Sequence, residues 1–232
     1  MRTIAILPIK GFATAKQRLS GMLGLGSRQA LAQAMFSDVL AALLRVEGLE
    51  AVVVVTGDSV AEATAHSSRV AVIADRVEAG QSAAAELGLR HARAEGFERA
   101  LLVPGDTPLL DPLEVEELLE RCPEPPGVSL VPDRHGEGTN AVLMAPTDAI
   151  APSFGPGSLS RHVDAARVAG VACRLEALES LTHDVDTPDD LAALAELLES
   201  RRGAQRTRGA LRQLDRMRLS ASGAPLDSSP RS

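Results

Sequence analysis

Residues 100–110, ALLVPGDTPLL, carry the strongest indication of the fold in this chain. Four apolar residues, Ala100 to Val103, run without a break into a turn built from Pro and Gly. A short apolar run that ends in this way is typical of a strand buried on both faces of a parallel sheet. Asp106 lies just beyond the carboxyl end of that strand, at the edge where open α/β sheets bind their ligands.

Asp106 has two interpretations at this position. A carboxylate on a tight turn can ligate Mg²⁺ beside a phosphate, because Mg²⁺ prefers hard oxygen ligands and takes few protein carboxylates. The same side chain can instead satisfy the turn and face solvent. The stretch alone does not separate the two, so the choice depends on what the rest of the chain brings to this edge.

Strands and helices alternate through the first half of the chain. Apolar runs predict strands at residues 3–7, 52–55, 70–73 and 100–103. Helical spacing predicts a helix after each strand, including helices at 27–46, 83–94 and 112–122. Ser27 is the expected cap of the first of these and Asp111 of the last. Four strand–helix repeats predict an α/β fold, a three-layer Rossmann-like arrangement around a mostly parallel sheet.

The pattern changes after Pro123. Strands are predicted at 128–131 and 141–144 with no helix between them, which indicates an antiparallel pair or a long crossing loop. A last strand at 171–175 is followed by a final helix, with Thr187 as its cap and Pro188 as its first residue. The sheet is therefore expected to contain one antiparallel section.

The composition divides the chain near residue 200. Residues 201–232 hold eight Arg, two Asp and few large apolar side chains. We predict one domain over residues 1–200 and an Arg-rich, largely disordered C-terminal tail over 201–232, partly helical at its start.

The bulk properties exclude several classes of function. The net charge of −7 argues against binding of DNA or RNA, and four Phe with no Tyr or Trp leave little for base stacking. No apolar run is long enough for a membrane span or a secretory signal. Cys122 and Cys173 lie far apart, which favours reduced thiols in a cytoplasmic protein.

Lysine is confined to one loop. Of 24 basic residues only two are Lys, and both Lys10 and Lys16 lie in the loop at residues 8–26, together with Arg18. A compact ammonium and a guanidinium are not interchangeable at a close phosphate contact, so we predict that these cations hold a polyphosphate. The alternative is chance placement of two rare residues. The loop is not a Walker A motif, because GxxxxGK[ST] is absent.

Acidic and Gly-rich segments from the second half are expected at the same edge. Asp184 and Asp186 precede the final helix, where their charge could also serve only to stabilise the helix start. Thr139 lies in a Gly-rich turn, and the turn from Gly155 to Ser158 runs into a helix N-terminus that suits a phosphate or carboxylate. Both turns could equally be simple connections. The five His show no metal spacing, and no GxSxG or Cys/His pattern indicates a hydrolytic nucleophile.

Five segments together resemble one family. IAILPIKGFATAKQRL, LLVPGDTPLL, GTNAVLM, FGPGSLSRH and HDVDTPDDL, in this order, are similar to the phosphoenolpyruvate/2-phospho-L-lactate guanylyltransferases of coenzyme F-420 biosynthesis. The resemblance covers about residues 1–200 and implies the GT-A-like nucleotidyltransferase fold of the molybdenum-cofactor guanylyltransferases. It also implies transfer of GMP from GTP to a three-carbon phospho-acid, with release of pyrophosphate.

The resemblance implies roles for individual residues. Phospho-acid contacts match Thr139, Gly155 and Ser158, and the metal ligands match Asp106 and Asp186, to which we add Asp184. Lys16, Arg18 and Asp106 are the expected catalytic residues, and Lys10 joins the substrate contacts. Gly80 and Ser82 are the expected contacts to the nucleotide base, although this chain has Gly80-Gln81-Ser82 where the family usually has Gly-Leu-Asn.

The implied reaction has a Mg²⁺ cofactor and two substrates. These are GTP and phosphoenolpyruvate, 2-phospho-L-lactate or 3-phospho-D-glycerate, among which the sequence does not choose. Two alternatives stay open: another GT-A-like nucleotidyltransferase, acting on the molybdenum cofactor or a sugar phosphate, and a GTP-binding regulatory module without turnover. The oligomeric state is also open, with a homodimer as one option.

Overall fold

The predicted alternation of strands and helices is present in a computed structural model, which describes residues 1–222. Within these residues the strands are β1 (Thr3–Ile9), β2 (Ala51–Thr56), β3 (Ala71–Ala74), β4 (Arg99–Leu102), β5 (Gly127–Pro132), β6 (Thr139–Ala145) and β7 (Ala172–Leu175). The helices there are α1 (Leu25–Leu43), α2 (Ser59–Ser67), α3 (Gln81–Ala94), α4 (Pro112–Arg121), α5 (Ser158–Ala169), α6 (Pro188–Ser200) and α7 (Gln205–Ser222).

One sheet joins the seven described strands in the order β3-β2-β1-β4-β6-β5-β7. β6 runs antiparallel to both β4 and β5, and all other neighbouring pairs are parallel. The prediction of a mostly parallel sheet with one antiparallel section is therefore confirmed. The order also places β1 beside β4, so the loop after β1 and the turn carrying Asp106 leave the sheet at the same edge.

Helices cover both faces of the sheet, which gives the three predicted layers. On one face α1, α2 and α4 pack through residues such as Phe36, Ala61 and Leu118. On the other face α3 and α5 pack through Leu89 and Ala166. Side chains of β1 alternate between the two apolar clusters, as the two-residue period of a strand requires.

The start of α1 differs from the prediction. Its N-cap is Gly24 rather than Ser27, and the helix begins at Leu25. Two short 3-10 turns, Phe12–Thr14 and Gln17–Leu19, fold the preceding loop so that Leu19 and Leu23 are buried. Because these two leucines are anchored in the core, the helix begins at Leu25, earlier than the capping signal at Ser27 indicates.

The final helices are tied to the domain by hydrogen bonds. Thr187 caps α6 as predicted, in a capping box with Asp190. α7 lies on α1, where the buried Asp38 of α1 accepts hydrogen bonds from the Thr207 amide and hydroxyl, both at 2.8 Å. The basic tail predicted from composition thus contains a helix that packs on the domain, and residues 223–232 lie outside the described residues.

Two simple predictions can be compared with the described part of the chain. Cys122 and Cys173 are both free thiols. Among residues 1–222, no helix combines the length and the apolar character that crossing a membrane would require.

Candidate functional site

Two adjoining clefts open at the carboxyl edge of β1 and β4. The first, of about 350 Å³, lies between the loop after β1 and α1. The second, of about 340 Å³, is bounded by the β5–β6 loop, the loop before α5 and the segment before α6. The residues that line both clefts form the boundary between them: Arg18, Gln81, Pro104, Asp106 and Asp186.

Lys16 lies at this boundary with its ammonium between two carboxylates. Lys16 Nζ is 2.5 Å from Asp106 Oδ2 and 3.1 Å from Asp186 Oδ1. The Lys16 side chain is only 7% exposed, whereas Asp106 and Asp186 keep 26% and 48% of their side-chain surface in solvent. The first loop, the turn after β4 and the segment before α6 therefore converge on one positive charge.

The protonation of this cluster follows from burial and charge. Burial alone would lower the pKa of Lys16, but the charges of Asp106 and Asp186 outweigh it and raise the pKa, so the ammonium stays protonated. Burial, reinforced by the charge of Asp106, raises the pKa of Asp184 to about 6. Asn140 Nδ2 donates a hydrogen bond to Asp184 Oδ1 at 3.2 Å, which orients that carboxylate.

The donor set at this point suits a hard divalent cation. Asp106 and Asp186 already direct oxygens at one cationic group, and carboxylate oxygens are the ligands that Mg²⁺ prefers. In the part of the chain that the structure describes, no three Asp, Glu, His or Cys side chains are grouped to hold a metal by themselves. A cation bound by Asp106 and Asp186 would thus need further oxygens, which substrate phosphates can supply.

The other two basic residues of the first loop differ from Lys16. Lys10 is exposed and lines the first cleft, and Arg18 is exposed and lines both. Among the described residues, no carboxylate forms an ion pair with either side chain. Lys10 and Arg18 are therefore available to bind a polyphosphate, whereas Lys16, the third expected cation, is paired with two aspartates.

The second cleft contains the residues expected to contact the phospho-acid. Thr139, Gly155 and Ser158 all line it. Ser158 Oγ donates to Thr139 Oγ1 at 3.3 Å, and His162 Nδ1 lies 3.0 Å from the same oxygen. Gly157, in the left-handed region with φ 69, is the N-cap of α5, so the helix N-terminus faces this cleft.

The residues expected at the nucleotide base lie at the start of α3. Gly80 is the N-cap, with φ 107, a conformation that glycine adopts without strain. Ser82 Oγ accepts a hydrogen bond from the Phe154 amide at 2.8 Å. Neither residue lines the two clefts, whereas Gln81 between them lines both. Of the two positions at which this chain differs from Gly-Leu-Asn, the structure thus brings Gln81 to the site but not Ser82.

His162 was not identified from the sequence. It is fully buried, and burial and then the charge of Arg161 lower its pKa to about 4. Spacing rules look for metal ligands or nucleophile partners, and His162 is neither. The sequence feature that could have identified His162 is its position four residues after Ser158, one helical turn from a residue already predicted to be in the site.

Comparison with known proteins gives a consistent result over almost the whole chain. The family described as Guanylyl transferase CofC like matches residues 3–220. A protein from Conexibacter woesei named phosphoenolpyruvate guanylyltransferase is 49% identical over 216 residues, which cover 92% of this chain and 97% of that protein. A protein of the same name from Sphaerobacter thermophilus is 37% identical and covers 84% of this chain and 93% of its own length.

Solved structures support the fold. A Desulfovibrio desulfuricans protein, provisionally named a nucleotide-diphospho-sugar transferase, has a TM-score of 0.73 at 17% identity, covering 94% of this chain and 97% of its own. A nucleotidyl transferase from Methanothermobacter thermautotroptrophicus has a TM-score of 0.59 at 19% identity, covering 86% and 99%. At these identities the similarity concerns the fold alone.

Proposed function

Because the chain belongs to the family of CofC-like guanylyl transferases, we propose that it transfers GMP from GTP to phosphoenolpyruvate. The products are enolpyruvoyl-2-diphospho-5'-guanosine and pyrophosphate, a step of coenzyme F-420 biosynthesis. The observation that carries this proposal is the Asp106–Lys16–Asp186 cluster between two clefts, alongside relatives that bear the name of this activity. One cleft is assigned to each substrate.

The first cleft is assigned to the triphosphate and the second to the acceptor. Lys10 and Arg18 are exposed cations at the first cleft, so they can neutralise the leaving pyrophosphate. Thr139, Gly155 and Ser158 line the second cleft next to a helix N-terminus, where a phosphate or carboxylate is stabilised.

The acceptor needs no general base. Its nucleophile is a phosphate oxygen, which is already anionic at neutral pH, so the barrier arises mainly from repulsion between two polyanions. The side chains therefore act by charge and alignment. Asp106 and Asp186 would hold a divalent cation, proposed to be Mg²⁺, which when bound neutralises phosphate charge. Removing one preorganised group of this kind costs about 3 kcal/mol of barrier, or about a hundredfold in rate.

The decisive assay measures pyrophosphate release from GTP. We expect turnover with phosphoenolpyruvate in the presence of Mg²⁺, and we would compare 2-phospho-L-lactate, 3-phospho-D-glycerate and the other nucleoside triphosphates in parallel. A GTP-induced rise in melting temperature without pyrophosphate from any acid would indicate a nucleotide-binding module and contradict the proposal.

Asp106→Asn tests the role of the cluster. The variant keeps the size of the side chain but loses one negative charge, so we expect pyrophosphate release to fall at least a hundredfold with the fold intact. Asp164→Asn is the matched control, because Asp164 lies on the surface of α5 in an exposed ion pair with Arg167. Activity of Asp106→Asn near that of Asp164→Asn would exclude a catalytic role for Asp106.

A further inference from the structure

Two consecutive residues of α5, Arg161 and His162, hold the loop 153–157 from the side away from the second cleft. Neither of them lines the cleft, and the proposed reaction assigns them no step. Each makes hydrogen bonds to this loop or to Thr139. Their hydrogen bonds determine which backbone donors and acceptors of the loop are left to bind a ligand.

The hydrogen bonds of His162 fix its tautomer. The Ser153 amide donates to His162 Nε2 at 2.8 Å, so this nitrogen carries no proton. The ring is neutral over the physiological pH range, since burial lowers the pKa of His162 to about 4. The single ring proton is therefore on Nδ1, and Nδ1–H donates to Thr139 Oγ1 at 3.0 Å.

With this tautomer, the Thr139 hydroxyl can act toward any further group only as a hydrogen-bond donor. Thr139 Oγ1 accepts from His162 Nδ1 and from Ser158 Oγ, which together use the two lone pairs of the oxygen. The hydroxyl then acts only as a donor toward a third group. Because Thr139 lines the second cleft, that donor is available to a ligand bound there.

Arg161 acts on the backbone of the same loop. Its guanidinium donates to the carbonyl oxygens of Pro156 at 2.5 Å, Ser153 at 2.8 Å and Phe154 at 3.2 Å. The carbonyls are thereby held on the Arg161 side of the loop. Among the residues that the structure describes, no protein group accepts a hydrogen bond from the amides of Gly155 or Gly157.

We propose that Arg161 and His162 are positioning residues that preset an anion-binding cradle for the acceptor, formed by the Thr139 hydroxyl and the amides of Gly155 and Gly157. All three donors belong to residues lining the second cleft, and the carbonyls that would repel an anion are turned toward Arg161. The identity of the anion as a phospho-acid rests on the proposed function, but the cradle itself is built from this chain's hydrogen bonds.

Calorimetric titration with phosphoenolpyruvate and, separately, with GTP tests the cradle without requiring turnover. His162→Gln retains an oxygen at the position of Nε2 for the Ser153 amide but has no donor at the position of Nδ1. We expect it to raise the Kd for phosphoenolpyruvate about tenfold, the worth of one well-placed hydrogen bond, with the Kd for GTP within twofold. His162→Asn keeps a donor at the Nδ1 position and should stay within about threefold of wild type.

Two further variants separate positioning from charge. Arg161→Lys keeps the positive charge but loses the fork that binds several carbonyls, so we expect it to weaken phosphoenolpyruvate binding about fivefold. Arg167→Gln removes an exposed cation from the same helix and should leave both Kd values unchanged. In a Thr139→Val background, His162→Gln should have little additional effect, since the two residues act through one hydroxyl.

The outcomes distinguish this inference from the proposed function. Unchanged phosphoenolpyruvate affinity in His162→Gln, or equal losses for phosphoenolpyruvate and GTP, would overturn the cradle even if the wild type turns over. Wild type that binds phosphoenolpyruvate with the expected pattern of variants, yet releases no pyrophosphate from GTP, would support the cradle and contradict the proposed function. Wild type that binds no phosphoenolpyruvate would contradict both.

Discussion

Lys16 combines an unfavourable backbone with a buried charge. Its φ of 53° and ψ of 42° lie in the left-handed region, which costs a residue with a Cβ about 1 kcal/mol. The ammonium is held by Asp106 and Asp186, so the conformation persists because the ion pairs compensate for it.

Lys16→Met should destabilise the protein, since Asp106 and Asp186 would then face each other without a cation. Because solvent partly screens both carboxylates, we expect the loss to be limited to about 1–2 kcal/mol. Addition of Mg²⁺ should recover most of this loss, because the metal can occupy the space between the same carboxylates. Urea denaturation with and without Mg²⁺ measures both effects. Lys10→Met is the control, as Lys10 is exposed and expected to affect neither value. A Mg²⁺ effect no larger in Lys16→Met than in wild type would argue against metal binding at this pair.

The sequence predicted the acidic residues of the site better than it predicted the pairing of Lys16. Asp106 comes just after the end of a strand and Asp186 just before a helix cap, and local sequence patterns define both features. Parallel strands bring their carboxyl ends to one edge of the sheet. A lysine in a loop that the sequence predicts to bind phosphate gives no local indication that its partner is a carboxylate 90 positions away. That contact is a property of the folded loop.

At the level of elements, α3 depends on a glycine to approach the sheet. A Cβ built on Gly88 would lie 2.3 Å from Ile6 Cγ2, a methyl on a β-branched side chain that cannot turn away. The absence of a side chain at residue 88 therefore sets the distance between α3 and β1. The same packing holds Gln81, at the start of α3, over the boundary of the two clefts.

Gly88→Ala should lower the free energy of unfolding by about 1–2 kcal/mol, because overpacking against Ile6 outweighs the gain in helix propensity. Gly209→Ala on α7 is the matched control, since nothing lies within 4 Å of its Cβ position and alanine should stabilise the helix by up to about 1 kcal/mol. Opposite shifts in the urea midpoint are expected. A midpoint that rises in both variants would show that α3 can move away from β1.

Element boundaries were predictable where the deciding contacts are local. Thr187 and Asp111 cap α6 and α4 as expected from their neighbours in sequence. The predicted start of α1 was wrong, because the burial of Leu19 and Leu23 overrides the capping signal at Ser27. The packing of α7 could not be foreseen either, since its first amides are bound by Asp38, about 170 positions earlier in the chain.

For the molecule as a whole, His162 couples folding to pH. Burial holds its folded-state pKa near 4, below the value of about 6.5 in the unfolded chain. Above pH 6.5 the imidazole is neutral in both states and has no effect. As the pH falls from 6.5 toward 4, the unfolded state takes up a proton that the folded state does not, so stability is lost.

The expected loss from this group is about 2 kcal/mol at pH 5 relative to pH 7. It should be absent in His162→Gln, so the free energy of unfolding of wild type must fall more steeply than that of the variant over this interval. Urea titrations of both proteins at pH 7, 6 and 5 provide the comparison. Parallel pH profiles would show that His162 protonates freely in the folded state.

The convergence of Lys16, Asp106 and Asp186 has a consequence for biosynthesis of the protein. During translation the first loop and β4 leave the ribosome well before the segment that carries Asp186, and domains begin to fold as they emerge. A nascent chain that ends before this segment presents Lys16 and Asp106 without their third partner. Under the proposed function, catalytic competence is acquired only once the segment that carries Asp186 has been synthesised, so we expect products that terminate before it to be inert rather than partly active.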